Sequence, residues 1–331
     1  MSFNKYHTED LSRLKILVTG GAGFIGSNLV SYLVQHGVGK VIILDNLATG
    51  SEKNIQHLLD EYNVSWVDGD IQDFKTCLKA TDGVDFVLHQ AALGSVPRSI
   101  ENPLATHETN STGYLNMLEA AKRNEVKRVV FASSSSVYGD STELPKQEDN
   151  FGVPLSPYAV SKYTNELYGR VFYDVYGLKT IGLRYFNIYG PNQSPAGPYA
   201  AAIPIFIDHV LKEKAPFING DGQQTRDFTY VDNAVQANIK ALFTENEEAF
   251  GKTMNIAVGE RISILELYNA ICKVLGKDIP PNFRDPRPGD VQDSLADISR
   301  ANELLGYDPE VKLEEGLRKT IDWFKAGVFA R

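Results

Sequence analysis

The sequence predicts an α/β fold built around a doubly wound parallel sheet, with a smaller α/β lobe in its C-terminal part. Short β-branched or apolar segments alternate with helical patterns over roughly the first 190 of the 331 residues. These segments are nearly continuously apolar, which is typical of strands covered by helices on both faces. Such an alternation of strands and helices is the pattern of a parallel sheet.

The predicted strands are Lys15–Val18, Val41–Leu44, Ser65–Val67, Phe86–His89, Arg128–Ala132 and Thr180–Tyr185. The predicted helices between them are Gly23–His36, Asn54–Tyr62, Asn110–Asn124 and Tyr158–Tyr176. Beyond residue 190, loops at Pro191–Pro198 and Asp278–Asp290 separate shorter elements, and a return to the main sheet is expected near Met254–Ala257. We therefore predict a first domain at 1–190 and a second at 191–331, with segments of the second returning to the sheet.

Composition excludes several classes of protein. A hydrophobic fraction of 43% is enough for a sizeable core, and a net charge of −9 disfavours a nucleic-acid partner. Cys77 and Cys272 have neither metal-ligand nor disulfide-framework spacing, so we expect no metal and a reducing, cytoplasmic location. The charged segment Met1–Leu14 does not resemble a secretory signal, and the sequence predicts no membrane span.

A glycine-rich turn directly follows the first predicted strand. Gly20, Gly23 and Gly26 stand in a G-x-x-G-x-x-G spacing before an apolar helix. Glycines there permit a tight turn and close approach to a pyrophosphate, which the helix N-terminus stabilises. Asp45, nineteen residues after Gly26, ends the next strand, and a carboxylate there hydrogen-bonds ribose hydroxyls and repels a 2′-phosphate. The pattern predicts a dinucleotide site that selects NAD over NADP.

Two further strand ends are candidates for the same site. Asp70 and Ile71 follow the third strand, where an adenine pocket would lie. Gln90, Ala91 and Ala92 end the fourth strand, where small residues allow close approach to a cofactor. Each pattern alone is also typical of a plain loop, and the position at a strand end favours the functional interpretation.

Tyr158 and Lys162 are four residues apart in a predicted helix, so they share one face. A phenol titrates near a pH of about 10, and a nearby ammonium and a cationic nicotinamide would lower its pKa and make Tyr158 a general base. This spacing alone is also common on exposed helices. In a strand, Ser134 and Ser136 would point to the same side and could bridge a substrate hydroxyl and the base.

Together, the Gly20–Gly26 turn, the Ser133–Gly139 segment, the Tyr158/Lys162 pair and Arg184–Asn187 resemble the extended short-chain dehydrogenase/reductases. The similarity is greatest to UDP-hexose 4-epimerases, in particular those acting on UDP-N-acetylglucosamine. It implies a Rossmann-type domain with tightly held NAD that is regenerated in each turnover, and a C-terminal lobe for the nucleotide sugar. It also implies a homodimer formed through a four-helix bundle from Asn110–Asn124 and Asn165–Tyr176.

The resemblance assigns roles to individual residues. Tyr158 would be the base, Lys162 would orient the ribose and tune Tyr158, and Ser134 would bind the reacting O4, with Ser136 as a further catalytic hydroxyl. The implied cofactor site consists of Gly20, Gly23, Phe24, Ile25, Gly26, Asp45, Asn46, Gly50, Asp70, Ile71, Gln90, Ala91, Ala92, Thr109, Tyr158, Lys162 and Tyr185.

The same resemblance separates the reactions of the family. Dehydratases carry two carboxylates at the positions of Ser135 and Ser136, and decarboxylating relatives carry Glu at the position of Ser136. Elimination without these carboxylates lacks its acid–base partners, which favours epimerisation. The common epimerase segment has Ala where this chain has Ser135, and the serine resembles the branch that acts on N-acetylhexosamines.

The substrate half resembles a UDP site. Asn187, Arg226 and Arg287 match diphosphate contacts, for which the planar guanidinium is suited. Phe217 and Asn219 match the segment that flanks uracil, and Asp290 matches a ribose contact.

Three small residues bear on the size of the sugar. Strict glucose epimerases carry Tyr at the position of Ser294, and a small residue leaves room for a 2-N-acetyl group. Gly94 and Ser95 also match the N-acetyl-preferring branch. We therefore expect a UDP-GlcNAc/UDP-GalNAc 4-epimerase. The alternatives are a UDP-glucose or UDP-uronic acid 4-epimerase, a UDP-glucuronate decarboxylase or 4,6-dehydratase on the same scaffold, and a non-catalytic NAD-binding regulator, which the Tyr/Lys pair disfavours.

Overall fold

The computed structural model describes residues 3–61, 63–197, 199–286 and 292–327. In chain order, the strands are β1 (Lys15–Thr19), β2 (Lys40–Asp45), β3 (Val64–Asp68), β4 (Phe86–His89), β5 (Arg128–Ser134), β6 (Thr180–Tyr185), β7 (Ile188–Tyr189), β8 (Phe217–Asn219), β9 (Thr225–Arg226), β10 (Thr229–Tyr230), β11 (Lys252–Ile256), β12 (Ile262–Ser263) and β13 (Asn282–Arg284).

The α-helices are α1 (Phe24–Gln35), α2 (Gln56–Glu61), α3 (Phe74–Ala80), α4 (Val96–Glu101), α5 (Pro103–His107), α6 (Gly113–Arg123), α7 (Pro157–Tyr176), α8 (Ala202–Leu211), α9 (Val231–Phe243), α10 (Ile264–Leu275), α11 (Ser299–Leu305) and α12 (Leu313–Lys325). Short 3₁₀ helices cover Glu52–Asn54, Ser135–Tyr138 and Glu247–Ala249, and a π-helical turn covers Glu108–Thr112. Within the described ranges, no helix is both long and apolar enough to cross a bilayer.

Seven parallel strands form the central sheet in the order β11-β6-β5-β4-β1-β2-β3. This arrangement confirms the predicted doubly wound sheet. The strand order reverses between β1 and β4, and in such sheets the crevice at the carboxyl ends of the reversing strands is where ligands bind.

The two faces of the sheet explain why its strands are continuously apolar. Ile16 and Val18 of β1 point into a core shared with α1, α9 and α11, while Leu17 points into a second core shared with α3, α6 and α7. Successive strand side chains face opposite sides, so each residue is buried under one helical layer or the other. A third core lies in the C-terminal part, around Phe206, Ile218 and Tyr268.

Segments from the C-terminal half also belong to the central sheet. β11 pairs with β6, and α9 packs in the same layer as α1. The chain therefore leaves the sheet after β6 and returns to it, and the division at residue 190 stays a prediction.

Three predicted elements differ in detail. Predicted helix Asn54–Tyr62 begins as a 3₁₀ turn, because the α-helix starts only at Gln56. Predicted loop Asp278–Asp290 contains β13, which pairs with β8. Ser136 lies outside β5, in the 3₁₀ helix, because the strand ends at Ser134.

Candidate active site

A cleft of about 760 Å³ opens at the point where the strand order reverses. Its walls come from the turns after β1, β2, β3 and β4, from the ends of β5 and β6, and from the start of α7. The predicted site residues that line it are Gly20, Gly23, Phe24, Ile25, Gly26, Asp45, Asn46, Asp70, Ile71, Gln90, Ala91, Ala92, Gly94, Ser95, Thr109, Ser134, Tyr158, Lys162, Tyr185 and Asn187. The parallel sheet thus brings together residues that are far apart in the chain.

The glycine turn can be made only by glycine at two of its positions. Gly20 has a φ of +66°, and a Cβ on it would lie 2.7 Å from the amide nitrogen of Ala91. A Cβ on Gly26 would lie 2.1 Å from the carbonyl oxygen of Gly20. The first glycine allows the turn to touch the end of β4, and the third allows α1 to begin against the turn.

Gly50 supports this turn from behind and does not line the cleft. A Cβ on Gly50 would lie 2.9 Å from the carbonyl oxygen of Ala22, and Ser51 donates its amide to that same oxygen at 3.0 Å. Gly50 thus packs against the glycine turn, and its contact with the cofactor stays a prediction.

Asp45 is held at the end of β2 by two backbone amides. Ala22 donates to Oδ2 at 2.9 Å and Leu47 donates to Oδ1 at 2.8 Å. Burial raises the pKa of Asp45, and these two hydrogen bonds oppose the rise. Each oxygen keeps a second acceptor site, so the carboxylate can accept from both hydroxyls of a ribose.

A polar group beside Asp45 forms one end of the cleft. Asn46 donates to Asp70 at 2.9 Å, and Gln72 donates to Thr109 at 3.2 Å. Gln72 was not predicted, although it follows Asp70 and Ile71 at the same strand end. These side chains define a polar rim at the end of the cleft where the sequence predicts the adenosine.

Tyr158 enters the opposite end of the cleft from the first turn of α7. Ser156 caps this helix by accepting from the amide of Ala159 at 3.2 Å, and Pro157 occupies the first turn. Ser134 accepts from the amide of Ser136 at 3.2 Å, so its single proton is left for the Tyr158 oxygen. That hydrogen bond lowers the pKa of Tyr158, but burial has the larger effect and raises it.

The expected lowering of the Tyr158 pKa by Lys162 is not seen. The Lys162 ammonium donates to the carbonyl oxygen of Ala132 at 2.8 Å and lies 6.0 Å from the centre of the Tyr158 ring. Burial lowers the pKa of Lys162 to about 8, and the charge of Glu166 opposes that change. The helix spacing brings the two side chains near one another, while burial decides their protonation.

Ser135 and Ser136 follow the end of β5 and begin a 3₁₀ helix, whereas Ser134 lines the cleft. The hydroxyl of Ser136 is buried and has no hydrogen-bond partner among the described residues. The expectation of a strand that points Ser134 and Ser136 to one side is therefore wrong, because β5 ends at Ser134, and the catalytic role of Ser136 stays a prediction.

Tyr185 belongs to a closed ring of side-chain hydrogen bonds. Its hydroxyl donates to Gln90 at 3.1 Å and accepts from Asn238 at 2.7 Å, and Gln90 donates to Asn238 at 3.0 Å. Asn238 lies on α9, which approaches the site only because α9 returns to the sheet. No local motif around Asn238 indicates this role.

The cleft lining also contains Arg98 and Tyr199, of which sequence reasoning missed Tyr199. The Arg98 guanidinium lies 5.0 Å from the centre of the Tyr199 ring, and the Tyr199 hydroxyl donates to Glu101. Ser95, at the start of α4, has a φ of +100° and accepts from the amide of Arg98 at 3.3 Å. Strained backbone of this kind clusters at ligand sites.

The predicted uracil contacts lie on short strands away from the described cleft lining. Phe217 is exposed on β8, and Asn219 accepts from Arg284 of β13 at 2.6 Å. The Arg284 guanidinium lies 5.6 Å from the centre of the Phe217 ring. Arg284 was not predicted, because β13 falls within the expected loop.

The predicted diphosphate and sugar contacts are similarly placed. Arg226 on β9 donates to the carbonyl oxygens of Thr225 and Gln292, at 2.8 and 3.2 Å. Ser294 is buried beside it and donates its amide to the Thr225 carbonyl at 3.1 Å. Arg287 and Asp290 lie outside the described residues.

Similarity to known proteins agrees with this geometry. A model of the NAD dependent epimerase/dehydratase family matches residues 16–257. The chain belongs to that family. A putative UDP-glucose 4-epimerase of Methanocaldococcus jannaschii is 42% identical over 94% of this chain and 98% of its own.

Two solved structures of family members share the fold. One is a UDP-N-acetylglucosamine 4-epimerase from Methanobrevibacter ruminantium in complex with UDP-N-acetylmuramic acid, with a TM-score of 0.89 and 40% identity, covering 95% of this chain and 98% of that one. The other is a UDP-glucuronic acid 4-epimerase from Bacillus cereus in complex with UDP-glucuronic acid and NAD, with a TM-score of 0.86 and 34% identity, covering 95% and 99%.

The cofactor of this family member is NAD, and its cleft fits the group. Glycine at positions 20 and 26 lets the turn close tightly at the N-terminus of α1, which lines the cleft and can stabilise a pyrophosphate. Asp45 provides free acceptor sites at the end of β2, where an NADP 2′-phosphate would meet a negative charge.

Replacing Gly26 by Ala should reduce cofactor binding by about tenfold or more. The added Cβ would overlap the Gly20 carbonyl, and overpacking costs about 1–3 kcal/mol, which corresponds to such a loss of affinity. The measurement is the NAD content of the purified variant, with circular dichroism to show that it folds. Gly94→Ala is the matched control, since its Cβ would meet no atom within 4 Å. Equal NAD content in the two variants would contradict the role of the tight glycine turn in cofactor binding.

Proposed function

We propose that this chain is an NAD-dependent 4-epimerase that interconverts UDP-GlcNAc and UDP-GalNAc through a transient 4-keto sugar. One observation carries the proposal: Tyr158, Lys162 and Ser134 meet at the same end of a cleft whose other end is built for a dinucleotide. A base, a hydroxyl donor and a cation at one point can remove the proton of a sugar hydroxyl and return it.

The protein residues divide the proton chemistry among them. Ser134 binds the O4 hydroxyl, and Tyr158 takes its proton and later returns it. NAD bound in the cleft would accept the C4 hydride and, after the 4-keto sugar has rotated about its phosphate linkage, would return the hydride to the opposite face of C4. Lys162 holds the ribose of the cofactor, and its positive charge stabilises the Tyr158 phenolate. Residues of the cleft exclude water and orient the reacting atoms.

The distribution of carboxylates favours epimerisation over elimination. Among the described residues lining the cleft, the carboxylates are Asp45 and Asp70, both at the end opposite Tyr158. Ser135 and Ser136 stand where dehydratases and decarboxylases carry acidic residues. A decarboxylase or dehydratase would have no acidic side chain at the reacting end.

The N-acetyl preference rests on small residues and on one relative. Gly94 and Ser95 line the cleft beside Arg98, and Ser294 is small and buried near Arg226. One similar structure is named as a UDP-N-acetylglucosamine 4-epimerase. These observations support room for the 2-N-acetyl group.

A UDP-uronic acid is the second candidate substrate, because of Arg98. Arg98 and Lys162 are the cationic side chains among the described lining residues. Lys162 is already bound to Ala132, whereas Arg98 lies half-exposed at the mouth. A guanidinium in that place could bind a sugar carboxylate.

The deciding experiment is NMR of the purified protein incubated with UDP-GlcNAc, UDP-glucose or a UDP-uronic acid, without added NAD. We expect the UDP-GalNAc anomeric signal to grow. Faster conversion of the UDP-uronic acid or of UDP-glucose would support the proposed mechanism but would change the proposed substrate. Release of CO₂ or a stable keto product would favour decarboxylation or dehydration, and no conversion of any UDP-sugar would contradict the proposed enzyme.

The Tyr158→Phe variant should lose turnover by about 10²–10⁴-fold while keeping its NAD, because only the exchangeable proton is removed. Tyr173→Phe, on the same helix but packed against Phe250, is the control and should stay active. Similar rates for both variants would overturn the assignment of the base.

Replacing Ser294 by Tyr should lower kcat/KM for UDP-GlcNAc by about tenfold or more, since a bulky ring would cost about 1–3 kcal/mol against the N-acetyl group. Turnover of UDP-glucose should be retained, and Ser294→Ala should leave both sugars unaffected. Undiminished turnover of the N-acetylated sugar by Ser294→Tyr would refute the steric explanation.

The proposed homodimer has support in one exposed apolar stripe. Val160, Leu167, Val171 and Val175 are exposed along one side of α7, with Val175 at 66%. Ile100 and Leu104, on α4 and α5, are exposed as well. Contiguous apolar surface of this kind is typical of an interface.

The free, buried Cys77 and Cys272 agree with the proposed cytoplasmic location.

The double variant Leu167→Asp/Val171→Asp should weaken self-association by about tenfold or more, because two carboxylates would be buried in the interface. Sedimentation equilibrium measures the effect, and Leu211→Asp on α8 is the control with an exposed leucine elsewhere. A double variant that remains dimeric would place the interface on another surface.

A further inference from the structure

The carboxylate of Glu166 is buried behind the candidate active site, and both of its oxygens accept hydrogen bonds. Arg184 donates from Nε to Oε1 at 2.8 Å and from Nη2 to Oε2 at 2.6 Å, and Ser133 donates to Oε1 at 2.5 Å. Both charged residues are less than 10% exposed. A buried ion pair is a poor source of stability, because its desolvation offsets its attraction. The presence of this pair beside the site therefore calls for another explanation.

Arg184 is held in place independently of Glu166. Its Nη1 donates to the carbonyl oxygen of Glu148 at 2.9 Å, and its guanidinium lies 4.9 Å from the centre of the Tyr138 ring. A cation fixed by these two contacts leaves the Glu166 carboxylate little freedom to rotate. Glu166 is thus a fixed negative charge and not a mobile one.

Lys162 stands one helical turn before Glu166. Residues four apart lie on the same helix face with Cβ atoms about 5–6 Å apart, and Lys162 is only 2% exposed. Burial favours the neutral amine and lowers the pKa of Lys162 to about 8, whereas the charge of Glu166 raises it. Without that carboxylate, burial would act on Lys162 unopposed.

The same helix face is joined to β5 at consecutive residues. Lys162 bonds to the carbonyl oxygen of Ala132, and Glu166 bonds to the hydroxyl of Ser133. The next residue, Ser134, bonds to Tyr158. The contact at Ser133 therefore lies between the two contacts that place the catalytic pair, and a shift of Glu166 would displace both.

Other titratable groups surround the pair. His89 of β4 is buried, and burial together with the charge of Lys162 lowers its pKa to about 3, so it is neutral during catalysis. Burial and the charge of Glu166 raise the pKa of Tyr114 on α6, which is also neutral. Tyr158 and Tyr185 line the cleft with Lys162, and Tyr138, Glu148 and Arg300 lie near Arg184.

We propose that Glu166, clamped by Arg184 and Ser133, is a positioning residue that keeps Lys162 in its ammonium form beside Tyr158. The inference rests on the proposed function for the roles of Tyr158 and Lys162. Glu166 touches neither substrate nor cofactor, and it acts through its charge on Lys162 and through its bond to β5.

The charges around Lys162 determine the direction in which its pKa should change. Glu166→Gln removes the negative charge and leaves the Arg184 cation unpaired, and both changes disfavour the Lys162 ammonium. The pKa of Lys162 should fall by about one unit or more. Deprotonation of Lys162 should abolish activity, so the alkaline limit of activity should then move to a correspondingly lower pH.

The experiment measures the Lys162 pKa directly, by the pH dependence of its ¹³Cε NMR signal in protein labelled with [ε-¹³C]lysine. Lys162→Arg assigns the signal, and the pH profile of kcat is recorded in parallel. Asp174→Asn is the matched control, because Asp174 pairs with Arg170 on the same helix at the surface. We expect a lower Lys162 pKa and a lower alkaline limit of kcat in Glu166→Gln, and neither change in Asp174→Asn.

A second variant keeps the inference testable if Glu166→Gln does not fold. Glu166→Gln/Arg184→Met removes both buried charges, so it avoids the unpaired cation and should still lower the Lys162 pKa. An unchanged Lys162 pKa in a folded variant would overturn the inference, even if kcat fell. Because the NMR titration needs no substrate, a shifted pKa in a chain that converts no UDP-sugar would support the role of Glu166 and count only against the proposed function.

Discussion

The close approach of the glycine turn to the end of β4 is the constraint on which the cleft depends. The Cα of Gly20 stands where any side chain would collide with Gln90 and Ala91, and Gly26 lets α1 begin against the same turn. The contact comes directly after Thr19 and His89, the last paired residues of β1 and β4, the two strands on either side of the reversal in strand order. The turns after these two strands and the ends of β5 and β6 together line the cleft.

Burial at this crevice acts in opposite directions on its two titratable groups. It raises the pKa of Tyr158 and lowers that of Lys162, so desolvation alone would leave both side chains neutral. Ser134 and Glu166 oppose those changes, each from a fixed position. The protonation of Tyr158 and Lys162 therefore depends on the surrounding hydrogen bonds and charges as well as on burial.

The C-terminal part builds its share of the site differently. Phe217, Asn219 and Arg226 lie on strands of two or three residues, each paired with an equally short strand. The proposed dinucleotide end rests on the seven-stranded sheet, whereas the proposed substrate side consists of loops joined by a few strand pairings. Loops of this kind vary more readily than a buried sheet, which is consistent with relatives named for different UDP-sugars on one fold.

The sequence by itself determined the parallel sheet, the glycine turn, Asp45 and the Tyr158/Lys162 pair, because each depends on local periodicity or on short fixed spacing. Only the tertiary structure showed that Ser136 leaves the strand, that Arg98 and Tyr199 meet at the mouth, and that Asn238 and Glu166 support the site from other elements. These contacts join residues distant in the chain, and their geometry follows from how helices pack on the sheet. Burial, which decides the protonation of Tyr158 and Lys162, likewise exists only after packing.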